Sequence, residues 1–229
     1  IHVCETQDEG AELEAQHGGK STIELLAQHG VLDGKVLAAH SVWVNEEGIE
    51  TYAQKNVGVA HCPVSNMKLA SGAAPVMSMR AAGVEVGLAT DGPASNDDLD
   101  LWQEIKFAPL LARVTALDAA TMTPRDALTM ATAEGSRVIG NDDTGVLQIG
   151  AKADFIRLEL DNPTFVPVTH DDELIAHVAW SGSGRHVTDV WVQGTQVVAN
   201  RQLTNFDLEQ ALSLIHISEP TRPLYISYA

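Results

Sequence analysis

The sequence predicts an α/β fold: the second half of an eight-fold (β/α)8 barrel, followed by part of a small appended β-sandwich. Three observations predict it. Short apolar runs at 1–4, 36–39, 57–60 and 84–89 are separated by helical patterns, which calls for a parallel sheet covered on both faces. Each run carries at its end a polar residue capable of chemistry, namely His2, His40, His61 and Asp91. Beyond residue 145 the helical pattern gives way to β runs around a glycine turn.

The strand at 1–4 leads into an acidic stretch. Ser21 and Glu24 then form a capping box that opens a helix, with Leu25 and Leu26 on its apolar face and Gly30 to close it. A buried strand follows at 36–39, Asn45 caps a helix running to about Gln54, and the next strand is 57–60. A loop is expected over 62–74, a helix over 75–82 stopped by Gly83, and a fourth strand over 84–89. After a loop at 91–98 comes a helix over 100–112 with Trp102 in its core face. Thr123 and Pro124 open another, a cap residue followed by proline in the first turn. Gly140 ends the helical part, and strands at 153–158, 187–192 and 196–199, the last two joined at Gly194, form the small sheet.

Three parts follow: half a barrel over 1–140, an appended β segment over 141–212, and a tail over 213–229 that reads as non-native. The tail changes character abruptly, with two prolines, two tyrosines and no acidic helix pattern. His216 and Glu219 within it imitate a metal motif, but no barrel strand surrounds them.

The balance of 31 Asp and Glu against 14 Lys and Arg gives a net charge of -17, which opposes a polyanionic duplex or an anionic membrane surface. No apolar run reaches the ~18 residues of a membrane span, and no basic-then-apolar leader opens the chain, so a soluble cytoplasmic protein is expected. The cysteines, Cys4 and Cys62, are too few for a disulfide framework. Both lie close to candidate histidines and are expected to be buried in the barrel, outside the site.

A parallel barrel collects its chemistry at the C-terminal ends of its strands. A hydrolytic metal site needs imidazole and carboxylate ligands and an open position for water, because the ion lowers the pKa of that water from about 15.7 to about 7. His2 and Asp91 fit as ligands. Glu5, three residues beyond His2, can stand beside them and carry protons to a leaving group. One strand-end histidine reads as a satisfied core or rim residue. Four strand-end polar residues in succession read as a site.

These residues also carry a resemblance. HVCE at 2–5, AH at 39–40, HCPVSNMKLASG at 61–72 and TDGPASND at 90–97 resemble the second half of the amidohydrolase superfamily, a family of TIM-type barrels. Within it the chain is similar to the adenosine-type deaminases acting on S-adenosylhomocysteine and 5-methylthioadenosine, with triazine hydrolases and guanine deaminases as relatives. The likeness spans about 1–211 and implies hydrolytic release of ammonia from an adenine-type ring at one divalent metal ion, zinc ahead of iron or manganese. It implies that His2 is the third histidine ligand, and that Asp91 is both a ligand and the base that deprotonates the attacking water. Glu5 would protonate a ring nitrogen, and His40 would hydrogen bond to the attacking hydroxide or the tetrahedral oxygen.

His61 reads as a support that orients the following loop through Ser65 and Asn66, or hydrogen bonds to a ligand. Ser95 and Asn96 are expected to hold the Asp91 loop by local bonds, and Lys68 to sit at the pocket rim or in solvent. Residues 181–184 make a turn, and His170, His177 and His186 are surface or structural residues in the region of the appended sheet. Partners are a purine nucleoside-like small molecule and, for the full-length protein, copies of itself.

The superfamily's first two ligands form a His-X-His pair on the first barrel strand, and this sequence contains none. The chain as written is therefore expected to bind metal weakly, to expose two strand edges and to be inactive. Asn66, Met67 and Lys68 tilt the likeness toward the adenosine-type branch over guanine deaminases and triazine hydrolases. The reading of another class is a truncated, non-catalytic interaction protein, which would leave Glu5, His40 and Asp91 idle.

Overall fold

Two four-stranded sheets organise the chain, one parallel and one antiparallel, in a computed structural model that describes residues 1–218. The parallel sheet has the order β1 (His2–Val3), β2 (Leu37–His40), β3 (Gly58–His61), β4 (Val86–Leu88). Its register pairs His2 with Ala39, Ala39 with Ala60 and Ala60 with Gly87, so the strand ends stand in line. Val3, Ala38, Val59 and Val86 are each essentially inaccessible. Burying a side chain of the size of valine contributes about 1.5 to 3 kcal/mol, which favours the short apolar strands wherever helices can cover them.

The covering helices form where local chemistry closes their ends. In α2 (Thr22–Gln28) the expected capping box of Ser21 and Glu24 is present, and in α3 (Glu46–Lys55) Asn45 accepts from the Gly48 N–H at 2.9 Å. The acidic stretch is itself a helix, α1 (Gln7–Gln16), capped by Thr6 and with Asp8 and Glu9 in its first turn, where negative charge suits the helix dipole. No residue of α1 is buried, so it carries no apolar period to betray it. The expected loop over 62–74 contains α4 (Pro63–Lys68), whose proline occupies the first turn, where a missing N–H costs nothing. α5 (Val76–Ala81) follows, and the expected loop over 91–98 contains the short α6 (Pro93–Asn96). Then come α7 (Leu101–Ala116), α8 (Pro124–Ala131) and α9 (Ala133–Val138), with Thr123 and Asp126 making a capping box for α8.

The antiparallel sheet has the order β5 (Phe155–Leu158), β6 (Val187–Val192), β7 (Thr195–Ala199), β8 (Gln202–Leu203). The β6–β7 turn has positive φ at both Gln193 (50°) and Gly194 (78°), the twist that suits a two-residue hairpin loop. Between β5 and β6 lies an unexpected helix, α10 (Asp171–Ser181), which joins the two parts: Trp102 of α7 donates Nε1–H to the Val178 carbonyl at 2.9 Å, and Arg125 meets Asp172 at 2.7 Å. Trp102 is thus half-buried at this junction and not in the central core. His170 caps α10 and His177 lies within it, so neither belongs to the sheet; His186 precedes β6 with its ring edge-on to Phe165. A last helix, α11 (Leu208–Ser218), runs across residue 213, where the tail was expected to begin. Glu219 and the rest of that tail lie outside the described residues. Among the described residues no helix is long and apolar enough to cross a membrane.

Helix and sheet approach closely at Gly87 in β4, where a Cβ would come within 2.8 Å of the Gly135 Cα in α9. Backbone cannot retreat as a side-chain tip can. Gly87→Ala is expected to lower the unfolding free energy by about 1 to 3 kcal/mol in urea titration, by forcing α9 off the sheet.

Candidate metal centre

His2 opens the two-residue β1, His40 is the last residue of β2, and Asp91 lies three residues beyond the end of β4. The chain leaves each strand through a left-handed backbone: φ is 51° at Cys4, 68° at His40 and 61° at Asp91. Such conformations cost non-glycine residues of order 1 kcal/mol or more and gather at functional sites. The result is a cluster in which one ligand atom each of His2, His40 and Asp91 lies within 4.8 Å of the others, with the two imidazoles stacked at 5.2 Å. His2 is exposed, His40 fully buried and Asp91 half-buried, so the cluster opens to one side. Glu5 joins it, with Oε2 at 3.8 Å from His40 Nε2.

The following helices hold these groups in place. Asn66 Oδ1 lies 2.9 Å from His40 Nδ1. An amide oxygen only accepts, so with this amide orientation Nδ1 carries the proton and Nε2 of the neutral ring presents a lone pair to the cluster. That Nε2 is buried and has no hydrogen-bond partner among the described residues. Ser65 donates to Asp91 Oδ2 at 2.8 Å, and Ser95 donates to the same oxygen. Burial raises the Asp91 pKa, but the hydroxyls of Ser95 and Ser65 outweigh it and hold the carboxyl below the usual range. Ser95 also donates to the Gly92 carbonyl at 3.0 Å, and Asn96 Nδ2 to the Thr90 carbonyl at 2.6 Å, the local bonds expected of the pair.

Ser65 and Asn66 do hold the site, but through Asp91 and His40; neither bonds to His61. Its ring is 2 % exposed, its Nδ1 has no partner among the described residues, and it lines an apolar cleft between α5 and α7 with Ala74, Val76 and Ala112. Burial, reinforced by His40, lowers its pKa to about 4, so the ring is neutral near pH 7. The cysteines are buried as expected, though for Cys4 by a different route. It lies two residues from His2 and would share its face if β1 continued; the strand stops at Val3 and the chain turns away. Burial pushes the thiols up to about 11 for Cys4 and about 12 for Cys62, leaving both protonated at neutral pH. Lys68 pairs with Asp97 at 2.6 Å on the surface.

Glu104 was not anticipated. It is wholly buried in α7, where it accepts from the Val64 N–H at 3.1 Å and from Asn96 Nδ2 at 2.7 Å. Burial pushes its carboxyl up to about 7 against those two hydrogen bonds. A signal was available: Leu101, Glu104, Ile105 and Ala108 occupy one helical stripe, and a lone acid in an apolar stripe needs partners.

Residues 1–197 match the model of the amidohydrolase family. Over 213 residues the chain is 43% identical to a 5-methylthioadenosine/S-adenosylhomocysteine deaminase of Pelotomaculum thermopropionicum, covering 93% of this chain and 48% of that protein. It is 40% identical over 212 residues to a 5'-deoxyadenosine deaminase of Methanopyrus kandleri, covering 93% of this chain and 48% of that protein. Among solved structures, an adenosine deaminase from Xanthomonas campestris with bound zinc is similar with a TM-score of 0.87 at 33% identity, covering 94% of this chain and 48% of that one. The chain thus spans about half the length of the curated relatives it matches.

The neutral His61 has a measurable consequence. Unfolded, the ring titrates near 6.5; folded, near 4. Between these values the unfolded state binds the extra proton, so stability falls as pH drops from 6.5 toward 4. His61→Leu is expected to flatten that dependence by about 1.4 kcal/mol per pH unit, read from urea unfolding at pH 4.5, 5.5 and 6.5.

Proposed function

The chain belongs to the amidohydrolase family, and on that premise we propose that it forms part of a metal-dependent deaminase. The reaction is water attack on the amino-bearing carbon of an adenine-type ring, with release of ammonia. The four parallel units, residues 1–140, are read as the second half of a (β/α)8 barrel, and residues 141–212 as part of an appended β-sandwich. The observation that carries the functional reading is the convergence of His2, His40 and Asp91 from three strand ends to within 4.8 Å.

Two imidazoles and a carboxylate, with the buried His40 Nε2 unclaimed by protein, suit a divalent ion, zinc first. When bound, such an ion supplies acidity to water, bringing its pKa near 7. His2 and Asp91 would hold it. Both serine hydroxyls bind Oδ2 of Asp91, which leaves Oδ1 clear of them to take the proton of the attacking water. His40, fixed by Asn66 through Nδ1, turns its Nε2 lone pair toward that water and accepts a hydrogen bond from it, orienting the oxygen for attack. Glu5, beside His40 Nε2, carries a proton to the ring nitrogen and makes the adjacent carbon electrophilic.

The substrate class rests on the relatives, whose names specify 5-methylthioadenosine, S-adenosylhomocysteine and 5'-deoxyadenosine. Asn66 and Lys68 lend no support of their own, since one is spent on His40 and the other on Asp97. The substrate is read as a purine nucleoside-like small molecule, and the assembled protein as a homo-oligomer in the cytoplasm.

Calorimetric titration is expected to give one Zn2+ per chain, with His2→Ala and Asp91→Ala each weakening it by at least about tenfold; unaltered binding in both would exclude the cluster as the site. The intact protein is expected to release ammonia from 5-methylthioadenosine, S-adenosylhomocysteine or adenosine in preference to guanine, with Asp91→Asn lowering kcat about a thousandfold. A preference for guanine would overturn the substrate class, and no ammonia from any of the four would overturn the deaminase reading.

A further inference from the structure

Among the described residues, the mechanism leaves unused a fully buried carboxyl near the cluster. Glu104 is 0 % exposed, and burying an acid there has a cost that helix propensity cannot offset. Its two oxygens go to two different pieces of chain. Oε2 accepts the N–H of Val64, in the first turn of α4 and 40 residues away in sequence. That helix has no side-chain cap of its own, since its N-cap is Cys62, and Glu104 caps it from across the fold. Oε1 accepts from Asn96 Nδ2, which also donates to the carbonyl of Thr90, the residue before Asp91.

Each of these pieces holds a member of the cluster. α4 bears Asn66, bonded to His40, and Ser65, bonded to Asp91. The loop 90–96 bears Asp91 itself and Ser95, a second donor to it. We infer that Glu104 is a positioning residue for the metal centre: one carboxylate, accepting Val64 N–H with one oxygen and Asn96 Nδ2 with the other, fixes α4 and the Asp91 loop relative to each other. This rests on the metal-site reading above. It adds that the spacing of His40 and Asp91 is set from α7, by a residue that touches neither.

Glu104→Gln keeps the shape but places an N–H against one of two N–H donors, so one brace is lost. In the chain as it stands, loaded with Co2+, this variant is expected to bind about tenfold more weakly, with an altered d–d absorption envelope, at temperatures where its far-UV circular dichroism matches that of the parent. The parent supplies a second measurement that needs no substitution. Native-state exchange of the Val64 amide is expected to slow about tenfold on adding Zn2+, because the metal and the brace stabilise the same arrangement. If Glu104→Gln folds and binds Co2+ as the parent does, with the same spectrum, the inference is overturned while the metal reading stands. If the variant does not fold, the exchange decides: zinc that protects amides of the Asp91 loop but leaves Val64 unchanged also overturns it. Absence of any metal binding by the parent would overturn the metal reading, and this inference with it.

Discussion

The register of the parallel sheet is the constraint on which the rest depends. Hydrogen bonds between parallel strands are evenly spaced and slanted, so one pair's offset sets the next. His2, Ala39, Ala60 and Gly87 share a row across all four strands, which places three small residues beside the one histidine that projects from it. Bulk at Gly87 in that row would press on the Gly135 backbone of α9. A slip of one residue in any strand would turn its side chains to the opposite face and scatter the candidate ligands.

Above the strand ends, specificity passes from backbone pairing to side-chain hydrogen bonds. Two hydroxyls and an amide fix the polar groups, and those donors are themselves carried on α4 and the Asp91 loop. In a buried setting each such bond is strong and each missing partner costly, so the layer favours a single arrangement over many similar ones. Among the described residues, His40 Nε2 and Asn66 Nδ2 are orphaned in this layer. A buried nitrogen without a partner is tolerable where something else is meant to meet it.

Strands and their terminal residues were legible in the sequence because both follow from local pattern: apolar runs of strand length, each with a polar residue at its end. So were α2, α3 and α8, whose caps lie within a few residues of the helices they open. α1 was hidden because it buries nothing, and α4 because its cap comes from Glu104 and not from a neighbour in sequence. α10 is not legible in the sequence because it packs on α7 and α8, a surface that exists only once the chain is folded. At the cluster, residue types pointed to His2, His40, Asp91 and Glu5, whereas the placement of Ser65 and Asn66 depended on bonds across 26 residues of chain that no spacing rule encodes.

The left-handed backbone at His40 and Asp91 bears on how such a chain can change over generations. At either position glycine would accept the conformation more readily, so the fittest residue for the backbone and the residue present differ. Random replacement there, selected for robustness alone, would drift toward a sturdier and chemically silent protein. An imidazole and a carboxylate at those two bends are thus not what backbone preference alone would select.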